Sequence, residues 1–279
     1  MTAPRPSVLL VSDPTYPARG RRYGDEDIFL ASRLRETFDV ATCHPLDAVA
    51  LMGGFDVVLV RNSGPAIHHW REYQAFREHA LATGARVFND LTGKGDMLGK
   101  QYLLDLFDAG YPVIPTVDDP GALGRLPASS RYVVKPKLGA DSLGLRVLDE
   151  AAIRELGEAD VLIQPEVAIR YEVSFFFVGH TFQYALHAPD HGRRWELVPY
   201  EPTEDDLRFA RSFVEWNDIT HGIQRIDGCR TADGDLLLVE LEDLNPYLSL
   251  DALDEAPRER FLADLTTALL ALAREGRPA

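Results

Sequence analysis

The chain has 279 residues, 46% hydrophobic and 26% charged, which excludes a disordered or fibrous protein and supplies one large core or two to three smaller ones. A formal net charge of −15 excludes wrapping of nucleic acid or of an anionic membrane, because both partners reward a basic face. No apolar run approaches the roughly 18 residues of a membrane helix, and Met1 to Pro6 lacks the basic end and cleavage site of a signal peptide, so the cytoplasm is the expected location.

Val8 to Ser12 and Phe55 to Val60 are short apolar runs that end in Asp13-Pro14 and in Arg61-Asn62-Ser63-Gly64-Pro65, and both read as buried parallel strands. Ile28, Ala31, Leu34 and Phe38 recur at helical spacing between them, and Trp70, Tyr73, Phe76 and Ala80 do so afterwards. With a third run at Ala85 to Phe88, the stretch up to about Asp90 alternates strand and helix as a small doubly wound sheet. Ligands of such sheets sit at the carboxyl ends of strands, which makes Asp13, Tyr16, Arg61, Asn62 and Ser63 candidate substrate residues. The plain alternative is an Arg61–Asp13 pair at a domain seam. A helix is expected over Asp96 to Ala109, with Met97, Leu104 and Phe107 inward, a stop at Gly110, and Lys100 on it.

Val133 to Lys137, Leu145 to Leu148 and Val161 to Gln164 then read as short strands around a glycine-rich bend. Lys135 and Lys137 share one face of the first, and two parallel ammonium groups want a shared anion. The loop Gly139 to Gly144, with Ser142 inside it, can close backbone amides over phosphates; the alternative is a hairpin turn with two surface lysines. Tyr171 to Ala188 reads as a hairpin turning at Gly179-His180 and puts Glu172 on one face. Arg193 and Arg194, in the polar loop His187 to Trp195, either grip a substrate anion or stay solvated. Thr203 caps a helix reaching Trp216, and Pro257 to Arg274 forms a closing amphipathic helix. Cys43 and Cys229 have no Cys or His partner at metal spacing, so neither a disulfide framework nor a zinc site is suggested.

The most informative stretch runs from Gly222 to Glu242. Asp233-Gly234 between two strand-like runs is a two-residue hairpin signal. Pairing Ala232 with Asp235 and counting outward places Asp227 opposite Glu240 and Arg225 opposite Glu242, all on one face, with Ile226, Val239 and Leu241 on the other. Two facing carboxylates repel by about 3 kcal/mol at ~5 Å and an effective dielectric near 20, so a cation should offset them. Magnesium, held by carboxylates and nucleotide phosphates, is the economical candidate. The alternative is a solvated face in which Arg225 pairs Glu242 and water satisfies Asp227.

Taken in order, these pieces resemble the ATP-grasp superfamily over essentially the whole chain. Asn89, Gly99-Lys100, Leu103-Leu104, Gly110 and Pro112-Val113-Ile114-Pro115-Thr116 look like the link between the N-terminal and nucleotide domains. The resemblance implies an α/β fold, α+β in its nucleotide part, in which an N-terminal doubly wound parallel sheet precedes two α+β subdomains that clamp ATP. The expected boundaries are 1–92, 93–168 and 169–279. It also implies that Lys100, Lys135 and Lys137 are nucleotide lysines, and that Gly139, Ser142 and Gly144 belong to a mobile phosphate loop. Gln164, Glu166 and Val167 would form the adenine hinge and Glu172 would hold the ribose. Asp227, Glu240 and Glu242 would bind magnesium, while Arg225, Lys100 and Ser142 act at the transferring phosphoryl group. One departure is that the family often ends its metal motif Glu-x-Asn, whereas here Glu240-Leu241-Glu242 precedes Asn245, so Glu242 and Asn245 both remain candidates. The small ligases of actinobacterial natural-product pathways, the D-cycloserine ring-closing type among them, have this look. The implied reaction is ADP-forming coupling of a small carboxylate to an amine with ATP and Mg2+; ring closure or nucleotide binding without turnover are the alternatives. A homodimer is compatible with this reading. A dinucleotide-dependent oxidoreductase is disfavoured because Asp13-Pro14-Thr15-Tyr16-Pro17 stands where a Gly-x-Gly-x-x-Gly would be needed.

Overall fold

The computed structural model describes residues 5–16, 23–61, 66–139, 143–190, 193 and 196–275. Ser7–Val11 (β1), Asp39–Cys43 (β2), Val57–Val60 (β3) and Val87–Phe88 (β4) form a parallel sheet in the order β2-β1-β3-β4. β1 and β3 are apolar throughout because both of their faces are covered. Val8, Leu10, Val57 and Leu59 meet Leu30, Ala31 and Leu34 of helix Tyr23–Leu34 (α1), whereas Leu9, Val11, Val58 and Val60 meet Tyr73, Phe76 and Ala80 of helix Trp70–Thr83. Ile28, expected on the inner stripe of α1, is instead exposed. The edge strand β2 escapes a reading by apolar runs because Asp39 and Thr42 are exposed and the rest only half-buried. The expected strand over Ala85 to Phe88 shrinks to two residues because the Ala85 amide is taken by Ala80 in the cap of the preceding helix. A single helical turn, Ala48–Leu51 (α2), precedes β3, which makes Trp70–Thr83 α3.

The helix expected over Asp96 to Ala109 is broken in two. Asp96–Leu98 is one 3-10 turn, and the α-helix proper is Tyr102–Asp108 (α4). Gly99 between them has φ +86°, and a side chain there would meet Leu138 Cδ2 at 2.7 Å. The break turns the backbone so that the Lys100 amide donates to Lys137 O at 2.8 Å. Lys100 therefore sits in a turn, only 7% exposed, rather than on a solvated helix.

Tyr132–Pro136 (β5), Arg146–Leu148 (β6) and Val161–Pro165 (β7) form a small antiparallel sheet in the order β6-β5-β7, backed by helix Glu150–Arg154 (α5). Ile169–Val178 (β8), Thr181–Ala188 (β9), Val198–Pro199 (β10), Ile223–Thr231 (β11) and Leu236–Glu242 (β12) form a larger one in the order β10-β9-β8-β11-β12. Helix Glu204–Asn217 (α6) starts from Thr203 through a reciprocal bond with Asp206. Its Phe213 and Val214, with Leu103 and Leu106 of α4, cover one face of this sheet through Val173, Phe175, Ile226, Leu238 and Leu241.

The β11–β12 pairing contains two compensating irregularities. The turn spans three residues, Ala232 to Gly234, because Thr231 rather than Ala232 bonds to Asp235 and Gly234 takes φ +99°. That shift alone would turn Glu240 and Glu242 away from Asp227 and Arg225. A bulge beside Asp227 and Gly228 restores the count, giving Asp227 opposite Glu240 and Arg225 opposite Glu242 as the sequence predicts. The extra residue is Val239, so Leu238, not Val239, joins Ile226 and Leu241 in the core.

The last helix, Glu255–Arg274 (α7), does not pack only on its own sheet. Its Phe261, Leu265, Leu269 and Leu272 lie in one core with Val8 and Leu10 from the first sheet, Leu34 from α1, and Phe176, Tyr184 and Leu186 from the third sheet.

Candidate active site

The face of β11 and β12 opposite α6 carries the charges. Arg225 donates to both Asp227 oxygens, with Nη2 2.7 Å from Oδ2, and also pairs with Glu242. Lys100, delivered by the turn before α4, pairs with Glu240. Ser174, opposite Asp227 on β8, donates to Asp227 Oδ1 at 2.6 Å. The Arg225–Glu242 pair of a solvated face is thus present, but Asp227 is met by arginine and serine rather than by water alone. Burial pushes the Glu242 carboxyl upward, helped by Asp227 and Asp96 and opposed by Arg225. Arg225 stays firmly charged because Asp227 and Glu242 outweigh its burial.

Burial lowers the Lys100 ammonium's affinity for its proton. Lys135 is pushed down to about 7, first by loss of water and then by the charge of Lys100. On the same face of the larger sheet as Asp227 and Ser174, Glu172 stands across from Cys229, and Glu172 and Lys135 both act electrostatically on that buried thiol, which burial raises to about 11. Lys100, Lys135 and Glu172 therefore lie near one another beside the charged face of β11 and β12. Lys137 departs from the expected pairing: it lies just past β5, where its ammonium bonds Gln101 and Asp118 at 2.9 and 2.8 Å. The side chain of Gln164 is buried and donates to Thr116, so only its backbone could serve a hinge. Glu166 is exposed beside Arg131, and the Val167 amide donates to nothing among the described residues. Gly139 and Gly144 bracket the expected phosphate loop, with Gly144 at φ +75°.

Residues outside the candidate site set hold this face in place, Asn89 of the expected interdomain link among them. Asp243 accepts from the amides of Gly95 and Met97, while Asp96 accepts from those of Asp243 and Leu244, clamping the end of β12 to the turn that carries Lys100. Burial and the neighbouring Asp243 drive the Asp96 carboxyl upward. Asn89 donates to Ile223 O and Asp243 O and accepts from the Ile223 amide, joining the first sheet to the third. A lone serine in the run Val173-Ser174-Phe175 was a readable hint of Ser174; nothing in the sequence pairs Asp96 with Asp243.

At the carboxyl edge of the first sheet, Arg61 and Asp13 do not pair. Arg61 is 3% exposed and its guanidinium is taken by Asp27 at 2.9 Å, Glu26 at 3.2 Å and Pro246 O at 2.8 Å. Glu26 in turn accepts from the amides of Leu248 and Leu250, and Arg225 reaches Tyr247 O at 3.1 Å. Arg61 is thus a seam residue, with Glu26 and Asp27 in place of Asp13, and its guanidinium is not available to a substrate. Asp13 bonds Thr15 and His69, and Tyr16 approaches His68 at 3.5 Å. Arg193 is exposed and pairs with Asp190 and Glu196. Asn62, Ser63, Ser142 and Arg194 lie outside the described residues.

No family model matches the chain. It is 27% identical over 233 residues to the cycloserine biosynthesis protein DcsG of Streptomyces lavendulae, covering 70% of this chain and 78% of that one. Among solved structures it is similar to D-cycloserine synthetase DcsG, with TM-score 0.72 and 22% identity over 96% of this chain and all of that one. It is also similar to D-alanine–D-alanine ligase from Bacillus anthracis complexed with ATP, with TM-score 0.68 and 12% identity over 98% and 100%. The ATP-grasp ligase PsnB complexed with minimal precursor, Mg and ADP gives TM-score 0.61 and 17% identity over 96% and 97%.

Proposed function

Because the chain has the ATP-grasp fold, we propose that it is an ADP-forming ligase that uses ATP and Mg2+ to activate a small carboxylate as an acylphosphate and couple it to an amine. The observation that carries this reading is the charged face of β11 and β12, where Asp227, Glu240 and Glu242 converge with Arg225 and with Lys100 from another element. Its donor set is all oxygen, three carboxyl groups against two cations, which fits a hard divalent ion; Asn245 remains the second candidate beside Glu242. Bound there, magnesium would neutralise charge on the ATP phosphates.

The chain's own groups would do the rest. Lys100, Lys135 and Arg225 would neutralise the phosphoryl oxygens as charge moves onto the leaving group. Glu172 would accept from the ribose hydroxyls, and Val167 would offer its amide to the base. Ser142 with Gly139 and Gly144 would close over the phosphates, and Asp13 and Tyr16 would line the substrate side. Residues 1–92, 93–168 and 169–279 are taken as the N-terminal, central and C-terminal parts. ADP release measured across amino acids, small peptides and amines tests the ligase reading; binding of ATP with no turnover for any of them would leave a nucleotide-binding module. The similarity to a cycloserine biosynthesis protein favours ring closure as a second reading, and mass analysis of the product separates one cyclised molecule from two joined ones.

Glu172→Ala should weaken ATP binding by about 1.5–3 kcal/mol, the value of hydrogen bonds to a charged acceptor, and the loss should vanish with a 2',3'-dideoxy nucleotide. A difference that persists with that analogue would remove Glu172 from the ribose.

Lys135→Ala should weaken nucleotide binding far more than Lys137→Ala, since Lys137 is committed to Gln101 and Asp118. Lys135 near 7 against its ordinary 10.5 means the folded chain binds fewer protons than the unfolded one between those values, so this group makes stability rise with pH across that window. An anionic ligand favours the charged ammonium. ATP binding above pH 7 should therefore take up a proton and weaken toward pH 9; calorimetry in buffers of different ionisation enthalpy reads this, and equal heats would place Lys135 away from the phosphates.

A further inference from the structure

The ends of β1 and β2 and the start of α3 bring together a second group of chemically competent side chains. Asp13 stands two residues beyond β1, His44 follows β2 directly, and His69 precedes the first residue of α3. Asp13 Oδ2 is 3.1 Å from His69 Nε2 and 3.7 Å from His44 Nε2, and the three atoms all lie within 4.8 Å of one another. The two imidazoles meet edge to face with centroids 5.1 Å apart. Asp13 is buried, and its other oxygen accepts from the amide and the hydroxyl of Thr15 at 3.0 and 2.7 Å. Burial opposes its charge, but these bonds and the imidazoles hold its carboxyl below the ordinary range.

We propose that Asp13, His44 and His69 form a binding site for a divalent transition-metal ion of the zinc class, separate from the all-oxygen face of β11 and β12. Two imidazoles and one carboxylate are the donors such ions select, and three protein ligands leave a fourth position for water or a substrate oxygen. Ligand atoms around a tetrahedral zinc with bonds of ~2.0 Å are about 3.3 Å apart, so the present spacing needs only a small contraction. The site costs two contacts: the Asp13–His69 hydrogen bond gives way to the ion, and the Leu46 amide, which donates to His44 Nδ1 at 3.3 Å, loses its acceptor because ligation through Nε2 puts a proton on Nδ1. That bond is long and Leu46 is exposed, so its amide can turn to water instead. The ion would tie the ends of two strands to a helix at the sheet edge where ligands of such sheets bind.

The test is titration of the full chain with cobalt(II), and separately with zinc, in excess magnesium to occupy oxygen-only sites. One equivalent of cobalt should give the visible absorption of an imidazole-ligated ion. Zinc should raise the melting temperature and shift the Leu46 amide resonance. Asp13→Asn, His44→Gln and His69→Gln should each weaken binding by at least about tenfold. His44 is partly exposed and its substitution spares the fold, so it decides the matter if His69→Gln is unstable. No binding by the wild-type chain, binding unaltered in His44→Gln, or binding lost in Glu240→Gln instead would each overturn the proposal and leave a hydrogen-bonded Asp–His cluster. None of these readouts depends on ligase activity.

Discussion

Replacing Glu240 by Gln should reduce ADP release by about 10²–10³-fold or more, the scale of removing one preorganised charged group from a phosphoryl-transfer site. Glu240 lies on the face of β12 turned away from the α6 core, and its partner Lys100 can still bond an amide oxygen. The fold should survive, and the melting temperature should hold or rise because two facing carboxylates no longer repel. Asp227→Asn should lose ADP release alike, with Ser174 still bonded to the amide oxygen, but should melt lower, because Arg225 donates to both Asp227 oxygens and an amide offers only one. Wild-type ADP release in either variant, measured with saturating magnesium, would remove the carboxylates from the metal.

Arg61→Ala should cost roughly 3–5 kcal/mol of stability, because it strands buried Glu26 and Asp27 without their cation. A substrate-binding Arg61 would instead raise KM on replacement and leave the melting temperature unchanged; burial of the guanidinium reverses that expectation. The pH dependence follows from Glu26, which burial raises to about 7 despite Arg61. Its folded value lies above its ordinary 4.5, so the stability it contributes is complete below 4.5 and is lost as pH climbs through 7. Without Arg61 the carboxyl should hold its proton still more tightly. Urea unfolding of the variant should therefore show a smaller deficit at pH 5.5 than at pH 8; an equal, small deficit at both would mean that Arg61 is not the counter-ion of the seam.

What could be read in advance follows from the range of the forces involved. Strands β1, β3 and β8, and helices α3, α6 and α7, announce themselves through apolar periodicity, which is local. Asp227 and Glu240 were legible because a hairpin converts sequence distance into spatial distance by simple counting. The count succeeded through two offsetting errors, a turn one residue longer than expected and a bulge at Val239, so the facing of the two carboxylates was predicted better than the strands that bear them. Lys100 was misread as helical because Gly99 interrupts a pattern that otherwise suits a helix, and its reason is a contact with Leu138 thirty-nine positions away in the chain. Asp96 with Asp243, Asn89 with Ile223, and Arg61 with Pro246 are partners across 147, 134 and 185 residues. No local pattern encodes such pairs.

The shared core beneath α7 has a consequence for how the chain comes to be. Val8, Leu10 and Leu34 leave the ribosome early, yet the apolar surface that seals them is Phe261 to Leu272. During vectorial synthesis the first sheet, complete at Phe88, must wait, partly wet on one side, while residues 89 to 254 are added before α7 begins. Closing so large a loop costs entropy that only the finished core repays. A nascent chain arrested before α7 would present to chaperones the part of that face which α1 leaves uncovered, whereas the second face, closed by α3 from within the same stretch, would already be covered.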